Sequence, residues 1–339
     1  MLWWEGKKVS ELLVNVVRGG LVESQHRGHL VVTDRDGREA FSLGNPNHVT
    51  YWRSAAKPFQ ALPLLEHQVV EKFNLSGPEL ALFASSHGGE EQHLAVLRQL
   101  LAKLGLSEAD LNCGISAPMH LPSAHKLLTS GHKFSVLNNP CSGKHSGMLA
   151  LTLLLGAPLT DYIKPGHPVQ QEMLRTICQC TSLSPEEIHL GIDGCGVPVF
   201  GLPLRHMAMA YARLSLPEGY FEPDRVKALN LIRQAMTQHP FYVAGTNRFD
   251  TILMEVTNGK IVAKIGSEGV YCLGIVEQGV GLALKIEDGN RRAIDPVVIQ
   301  VLKKLGYLNN DEFKQLEHLW RPILKNHRGD EIGYLEVVF

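Results

Sequence analysis

Strand-like segments occupy both ends of the chain. Near the N-terminus, residues 12–17 and 30–33 are apolar and rich in β-branched side chains, and residues 38–43 return after the turn signal at 34–37. This pattern predicts an antiparallel meander. Apolar runs near the C-terminus predict further strands at 252–256, 261–265, 270–276, 283–286 and 334–339, and one helix near 295–305. The Asn258-Gly259 pair predicts a type I′ hairpin turn.

The middle of the chain has helical spacing interrupted by loops rich in glycine and proline. Helices are predicted at 58–70, 88–104, 122–130, 143–155, 168–180, 202–214 and 224–238. The pattern therefore predicts an α+β fold, as one catalytic domain over 1–339. Its strand-rich parts, 1–53 and 250–339, would form one antiparallel sheet covered by helices, and the mainly helical part, 54–249, would form a helical subdomain.

Composition narrows the possible partners. The chain has 339 residues, of which 44% are hydrophobic and 20% charged, and its formal net charge is −1. This balance predicts neither a nucleic-acid partner nor a membrane-surface partner. Residues 1–8 lack the apolar stretch of a signal peptide, and the apolar run near 149–156 is far shorter than the roughly 20 residues of a membrane span. A soluble, cytoplasmic protein is expected.

The segment 53–58, RSAAKP, contains the first candidate for chemistry. Ser54 follows a predicted strand and precedes a predicted helix, and positions i and i+3 share one helix face. Ser54 Oγ could therefore meet Lys57 Nζ at a helix N-terminus, where free backbone N–H groups favour an oxyanion. A lysine whose pKa is lowered can serve as the base for a hydroxyl nucleophile. The alternative is a capping serine beside a surface lysine.

Two further segments extend this pattern. An apolar run ends at Ser85, Ser86 and His87, and Lys264 lies on a predicted strand before Gly266. The order S-x-x-K, loop serine, K-x-G is that of penicillin-binding proteins and class A β-lactamases. The departures from their motifs at 86–88 and 264–266 argue against β-lactam chemistry. Ser86 could instead cap the next helix, and Lys264 could be an edge-strand lysine.

Cys141 and Cys195 each lie in a polar, glycine-rich loop. Two thiolates and one nitrogen ligand could hold zinc and leave a fourth position for water. From the residue types alone, His145 is the expected nitrogen ligand, because Lys144 must lose its proton to bind a metal. Two unrelated buried thiols are the alternative.

Taken together, these motifs resemble those of the asparaginase II family, the rhizobial-type L-asparaginases. The resemblance extends from about residue 14 to 339. It is carried by VESQHRG at 22–28, RSAAKP at 53–58, SSH at 85–87, NPCSGKH at 139–145 and DGCG at 193–196.

The resemblance implies a fold like that of serine β-lactamases and glutaminases, a homodimer, and hydrolysis of L-asparagine to L-aspartate and ammonia. It implies two Ser-Lys tandems, Ser54 with Lys57 and Ser86 with Lys264. It also implies a Zn²⁺ that supports substrate affinity, with Asp193 nearby. The implied zinc ligands are Cys141, Lys144 and Cys195.

Substrate-binding roles are expected from charge complementarity. The candidate substrate-binding residues are Arg53, His87, Asn139, His145 and Asp193. Arg53, Asn139 or His145 would contact the substrate carboxylate, and Asp193 its ammonium.

The sequence is also compatible with two other functions. One is a serine hydrolase acylated by β-lactams or peptides, and the other is a non-catalytic zinc or redox sensor built on Cys141 and Cys195.

Overall fold

The computed structural model describes residues 9–339. The expectation that residues 1–8 do not form a signal peptide therefore concerns residues outside the described part of the chain. The chain divides into two compact units. The sheet unit contains the residues up to Thr50 together with Leu202–Leu216 and Val256–Phe339, and the helical unit contains Tyr51–Gly201 and Pro217–Glu255.

The N- and C-terminal strands join in one eight-stranded sheet, as the sequence predicts. Numbered along the chain, its strands are β1 (Glu11–Arg18), β2 (Leu21–Asp34), β3 (Glu39–Leu43), β7 (Ile261–Ile265), β8 (Val270–Ile275), β9 (Val280–Ile286), β10 (Ile323–Lys325) and β11 (Glu331–Val337). All its pairs are antiparallel, in the order β10-β11-β1-β2-β9-β8-β7, and β3 also pairs with β2.

Three α-helices belong to the sheet unit: α9 (Leu204–Ser215), α13 (Ile294–Lys304) and α14 (Asn310–Trp320). Helix α9 packs on β8 and β9, where Gly274 and Gly281 are cross-strand partners. A Cβ at Gly281 would lie 1.9 Å from the Ala208 carbonyl oxygen, and one at Gly274 would lie 2.5 Å from the Tyr211 carbonyl oxygen. The two glycines therefore allow the helix backbone to approach the sheet.

Helices dominate the second unit, as expected for the middle of the chain. Its helices are α1 (Lys57–Gln60), α2 (Leu62–Glu66), α3 (Val69–Phe73), α4 (Gly77–Phe83), α5 (Glu91–Leu104), α6 (Leu121–Thr129), α7 (Ser142–Leu154), α8 (Pro168–Thr181), α10 (Pro223–Gln238), α11 (Pro240–Val243) and α12 (Phe249–Val256). A small sheet has the order β4-β6-β5, formed by β4 (Val49–Tyr51), β5 (His189–Ile192) and β6 (Pro198–Pro203).

Some predicted elements differ from the structure. The strand expected at 252–256 is the end of helix α12, which buries Phe249 and Leu253 one turn apart. Its β-branched residues suggested a strand, but burial of one helical face outweighs that propensity. The helix expected at 58–70 is three short helices, while α14 and the small sheet were not predicted.

The turn at Asn258-Gly259 has positive φ at both residues, as a type I′ turn requires, but it connects α12 to β7 and is therefore not a hairpin. Among residues 9–339, no helix is long and apolar enough to cross a membrane. The single domain, the homodimer and the cytoplasmic location stay predictions.

We expect Gly281→Ala to destabilise the protein by about 2 kcal/mol, because the added methyl group would overlap the backbone of α9. The change is measured as a lower denaturant midpoint in equilibrium unfolding. Gly166→Ala is the matched control, since a Cβ at Gly166 meets no atom within 4 Å. Equal stability of the two variants would contradict the close packing of α9 on the sheet.

Candidate active site

The predicted Ser-Lys segment forms a turn of 3-10 helix, Arg53–Ala56, that continues into α1. Pro58 lies in the first turn of α1, where a backbone N–H would have no acceptor within the helix, so a proline is tolerated. Arg53 has a φ of 53°, in the left-handed region that non-glycine residues rarely occupy. Such conformations persist at functional sites when surrounding contacts hold them. Ser54, which follows, is half-buried.

Lys57 is fully buried, and its ammonium has three hydrogen-bond acceptors. They are the Ser85 carbonyl oxygen at 2.5 Å, Ser86 Oγ at 3.0 Å and Cys141 Sγ at 3.3 Å. A lysine ammonium has three N–H bonds, so these acceptors use all of them. Ser54 Oγ is not among the acceptors. The structure therefore pairs Lys57 with the second serine of the predicted set.

Close packing of two helices brings Ser86 to this position. Helix α4 ends at Phe83, and the following backbone is held by a bond from Ser86 N–H to the Val243 carbonyl oxygen. A Cβ at Gly143, in the first turn of α7, would lie 2.2 Å from the Leu82 carbonyl oxygen. Only glycine permits this approach, which places the N-terminus of α7 beside the end of α4.

A row of buried groups continues from Lys57 through both predicted cysteines. Cys141 is the N-cap residue of α7 and accepts a hydrogen bond from the Cys195 thiol. Cys195 Sγ in turn accepts a hydrogen bond from Lys144 Nζ at 3.1 Å. The row Lys57, Cys141, Cys195, Lys144 therefore joins two cations through two sulfur atoms.

The charges in this row follow from its contacts. The hydrogen bond from Cys195 lowers the pKa of Cys141 well below its usual value, and the charges of Lys57 and Lys144 add to this effect against the opposing effect of burial. The same hydrogen bond, together with burial, raises the pKa of Cys195. Burial lowers the pKa of Lys144, but the neighbouring Cys195, Cys141 and Asp193 outweigh it and raise that pKa. Cys141 is thus the thiolate of the pair and Lys144 is a cation.

Arg53 and Asp193, both predicted to bind substrate, form an ion pair. Arg53 Nε donates to Asp193 Oδ1 at 3.0 Å, and the Gly194 N–H donates to the same oxygen at 2.9 Å. Burial raises the pKa of Asp193, but Lys144 and then Arg53 lower it by more, so the net shift is downward. The Asp193 side chain is 10% exposed and that of Arg53 is 23% exposed.

His87 and Asn139 have partners within the protein that support the start of α7. His87 Nε2 bonds Ser142 Oγ at 2.9 Å, while its Nδ1 accepts the Gly89 N–H at 3.1 Å. Asn139 Oδ1 accepts the Cys141 N–H at 2.9 Å, and its amide nitrogen donates to two backbone carbonyl oxygens, those of Cys113 and Gly114. Both side chains therefore position Cys141 and Ser142. Their contact with substrate stays a prediction.

His145 is fully buried in the first turns of α7, and its Nδ1 lies 2.8 Å from Tyr162 Oη. Burial, followed by the charges of Lys144 and Lys57, lowers the pKa of His145 well below its usual value, so the ring is neutral. Of the two nitrogen donors considered for zinc, Lys144 is the one that contacts a cysteine sulfur.

Lys264 belongs to β7 of the sheet unit. Its side chain is buried, and its ammonium donates to the Ile265 carbonyl oxygen at 2.8 Å. The pairing of Lys264 with Ser86 stays a prediction.

Sequence reasoning missed three contributors to the site: the Ser85 carbonyl, Ser142 and Tyr162. The motif at 139–145 contains Ser142, so that residue could have been found. Ser85 acts through its backbone, which side-chain motifs do not report. Tyr162 lies 17 positions beyond His145 with no motif around it, and only the fold brings it there.

Zinc binding at this place would depend on two cysteines and a lysine. Within residues 9–339, no group of three or more His, Cys, Asp and Glu side chains is placed to hold a metal. The set therefore depends on the Lys144 nitrogen, which contacts Cys195. Two neighbouring sulfurs and an amine are donors that suit Zn²⁺, provided that the amine loses its proton. In composition, the three residues fit the metal.

The fold and site define a class: an α+β protein with a buried serine-lysine-cysteine cluster. Comparison with protein families narrows it. The L-asparaginase II family matches residues 14–337, nearly the whole chain, and the chain belongs to this family of asparaginase-type amidohydrolases.

The solved structures that resemble this chain have low sequence identity to it and low TM-scores. A beta-lactamase from Mycobacterium bovis is 12% identical with a TM-score of 0.43, covering 82% of this chain and 94% of that one. A mutant simvastatin synthase from Aspergillus terreus is also 12% identical, with a TM-score of 0.41 and coverage of 86% and 92%. Scores this low support no inference about activity. No curated protein sequence matches the chain significantly.

Proposed function

We propose that this protein is an L-asparaginase that hydrolyses the side-chain amide of L-asparagine through an acylated serine. The observation that carries the proposal is the buried Lys57, hydrogen-bonded to Ser86 and Cys141 one helical turn after Ser54, in a chain of the L-asparaginase II family. A serine next to a buried lysine is one arrangement that can activate a hydroxyl for nucleophilic attack on an amide.

In the proposed reaction, Ser54 Oγ attacks the side-chain amide carbon. Its proton passes to Lys57 in the deprotonated form, directly or through Ser86 Oγ, which lies 3.0 Å from Lys57 Nζ. Collapse of the tetrahedral intermediate breaks the C–N bond, and the nitrogen leaves as ammonia with the transferred proton. Lys264 with Ser86 would assist that transfer. Water then hydrolyses the aspartyl ester, releasing L-aspartate and restoring the serine.

We expect Ser54→Ala to lower kcat for ammonia release from L-asparagine by at least about four orders of magnitude, because it removes the nucleophile. Ser86→Ala should lower kcat by roughly two to four orders of magnitude, as loss of one proton-transfer group does. The measurement is ammonia release, with mass spectrometry of quenched reactions to locate the aspartyl ester.

Ser130→Ala, at an exposed serine that ends α6, is the matched control and should keep full activity. Thermal unfolding of each variant separates loss of chemistry from loss of fold. Near-normal turnover of a folded Ser54→Ala protein would reject Ser54 as the nucleophile and transfer that role to Ser86. If the wild-type protein released no ammonia, the proposed function would be wrong.

The Arg53–Asp193 ion pair is the proposed recognition element for the α-amino acid part of the substrate. L-asparagine carries an adjacent carboxylate and ammonium, which match a guanidinium and a carboxylate 3.0 Å apart. Both side chains are partly accessible, so a zwitterion can contact them with less desolvation than a buried pair would need. Arg53 would bind the carboxylate, and Asp193 the ammonium.

Asp193→Asn should raise the KM for L-asparagine by roughly 10–100-fold, since the ammonium loses a charged acceptor. The KM for succinamate, which lacks the ammonium, should change much less. Asp161→Asn, which removes an exposed ion pair with Lys164, is the control and should leave both constants unchanged. An equal rise in KM for the two substrates would show that Asp193 does not recognise the ammonium.

The proposed cofactor is Zn²⁺, held by Cys141, Lys144 and Cys195. When bound, the ion would supply positive charge that supports substrate affinity. The chain's contribution is to keep two sulfurs and one amine together in a buried place, with Lys57 beside Cys141 and Asp193 acting electrostatically on Lys144.

Zinc should accompany the purified protein, and its removal by a chelator should raise the KM for L-asparagine more than it lowers kcat. Lys144→Met should lower zinc affinity by roughly 10–100-fold or more. Metal analysis and a competition titration measure both effects, with Cys178→Ser on α8 as the control that retains zinc. Unchanged zinc affinity in Lys144→Met would eliminate this ligand set.

A further inference from the structure

The protons shared by Tyr162 and His145 can be assigned from the hydrogen bonds around them. The Asn112 backbone N–H donates to Tyr162 Oη at 2.8 Å, and Tyr162 Oη lies 2.8 Å from His145 Nδ1. Tyr162 is 1% exposed and His145 is 0% exposed, so both side chains are shielded from bulk water. Because the Asn112 N–H already occupies the oxygen as donor, the phenol proton needs an acceptor of its own.

Only one tautomer of His145 satisfies this arrangement. If the Tyr162 proton points to Nδ1, the ring proton is on Nε2 and both bonds are complete. If Nδ1 carried the ring proton, the buried phenol proton would have no acceptor among the described residues, and the Nε2 lone pair would also be unmatched. Two unpaired buried polar groups destabilise the protein more than the single unpaired Nε2–H of the first tautomer does. The ring is therefore the Nε2–H tautomer.

The Nε2–H of His145 is then a buried donor without a hydrogen-bond partner in the part of the chain that the structure describes. A buried donor of this kind indicates an acceptor that the protein does not itself supply. The charges of Lys144 and Lys57 act on the ring and would favour an anionic oxygen as the partner of this donor. In L-asparagine the only anionic group is the α-carboxylate.

We infer that Tyr162 is a positioning residue that holds His145 as the Nε2–H tautomer, so that His145 donates a hydrogen bond to the substrate's α-carboxylate. The same tautomer places a proton on Nε2 and bonds Nδ1 to Tyr162, so neither nitrogen offers a lone pair to a metal. The assignment therefore also excludes His145 as a zinc ligand. It rests on the proposed function for the identity of the substrate, but not for the tautomer.

The tautomer is tested first, without substrate. Long-range ¹H–¹⁵N spectra of protein labelled at histidine should show His145 protonated at Nε2, with its signals assigned by their loss in His145→Gln. Tyr162→Phe removes only the hydroxyl and should change the His145 pattern. Tyr242→Phe, at another tyrosine of the helical unit, is the control and should leave it unchanged. An Nδ1–H pattern in the wild-type protein would overturn the inference.

The role in recognition is tested by kinetics. Tyr162→Phe should raise the KM for L-asparagine roughly tenfold and leave kcat within about twofold, because a bond to a charged group is weakened. For the methyl ester of L-asparagine, which has no α-carboxylate, ammonia release should be much less affected. An equal effect of Tyr162→Phe on both substrates, or no effect on either, would contradict the proposed contact.

A double variant separates tautomer control from general support of the fold. His145→Gln carries a side-chain N–H donor that does not depend on a tautomer, so adding Tyr162→Phe should then raise KM no further. An additive rise would show that Tyr162 does not act through His145. If the wild-type protein released no ammonia from L-asparagine, the proposed function would fail and the recognition role with it, while the spectra would still decide whether Tyr162 sets the tautomer.

Discussion

Burial of the Lys57 ammonium is the constraint on which the rest of the site depends. An ammonium removed from water is strongly destabilising unless each N–H has an acceptor and a negative charge lies nearby. Here the acceptors are the Ser85 carbonyl, Ser86 Oγ and Cys141 Sγ, and the thiolate form of Cys141 supplies the charge. The end of α4 and the start of α7 must therefore meet at this one point.

The remaining charged groups extend from Lys57 as an alternating series. Cys141 is the thiolate beside Lys57, Cys195 bridges it to the Lys144 cation, and Asp193 acts on Lys144 and pairs with Arg53. Neighbouring charges shift the pKa of Cys141, Lys144 and Asp193 toward their charged forms, whereas the Cys195 thiol stays protonated as the bridge. A series of this kind stabilises charge in a low-dielectric environment.

Polar side chains outside the series hold residues at the start of α7. Asn139 holds the Cys141 N–H, His87 holds Ser142, and Tyr162 holds His145. All three bonds converge on the first turns of α7. A neutral His87 and a neutral His145 add hydrogen bonds there without adding charge, because burial lowers the pKa of both rings. The N-terminus of α7 is thus preorganised by hydrogen bonds from uncharged side chains.

Local patterns in the sequence were enough to predict the α+β class, the terminal strands of the sheet and the motifs that contain most of the candidate site, because periodicity and short motifs are local properties. Tertiary structure decided what local patterns do not specify. It made residues 252–256 helical, since burial of one face outweighs β propensity. It also paired Lys57 with Ser86, Lys144 with Cys195 and Tyr162 with His145, since these contacts depend on how closely helices such as α4 and α7 approach each other.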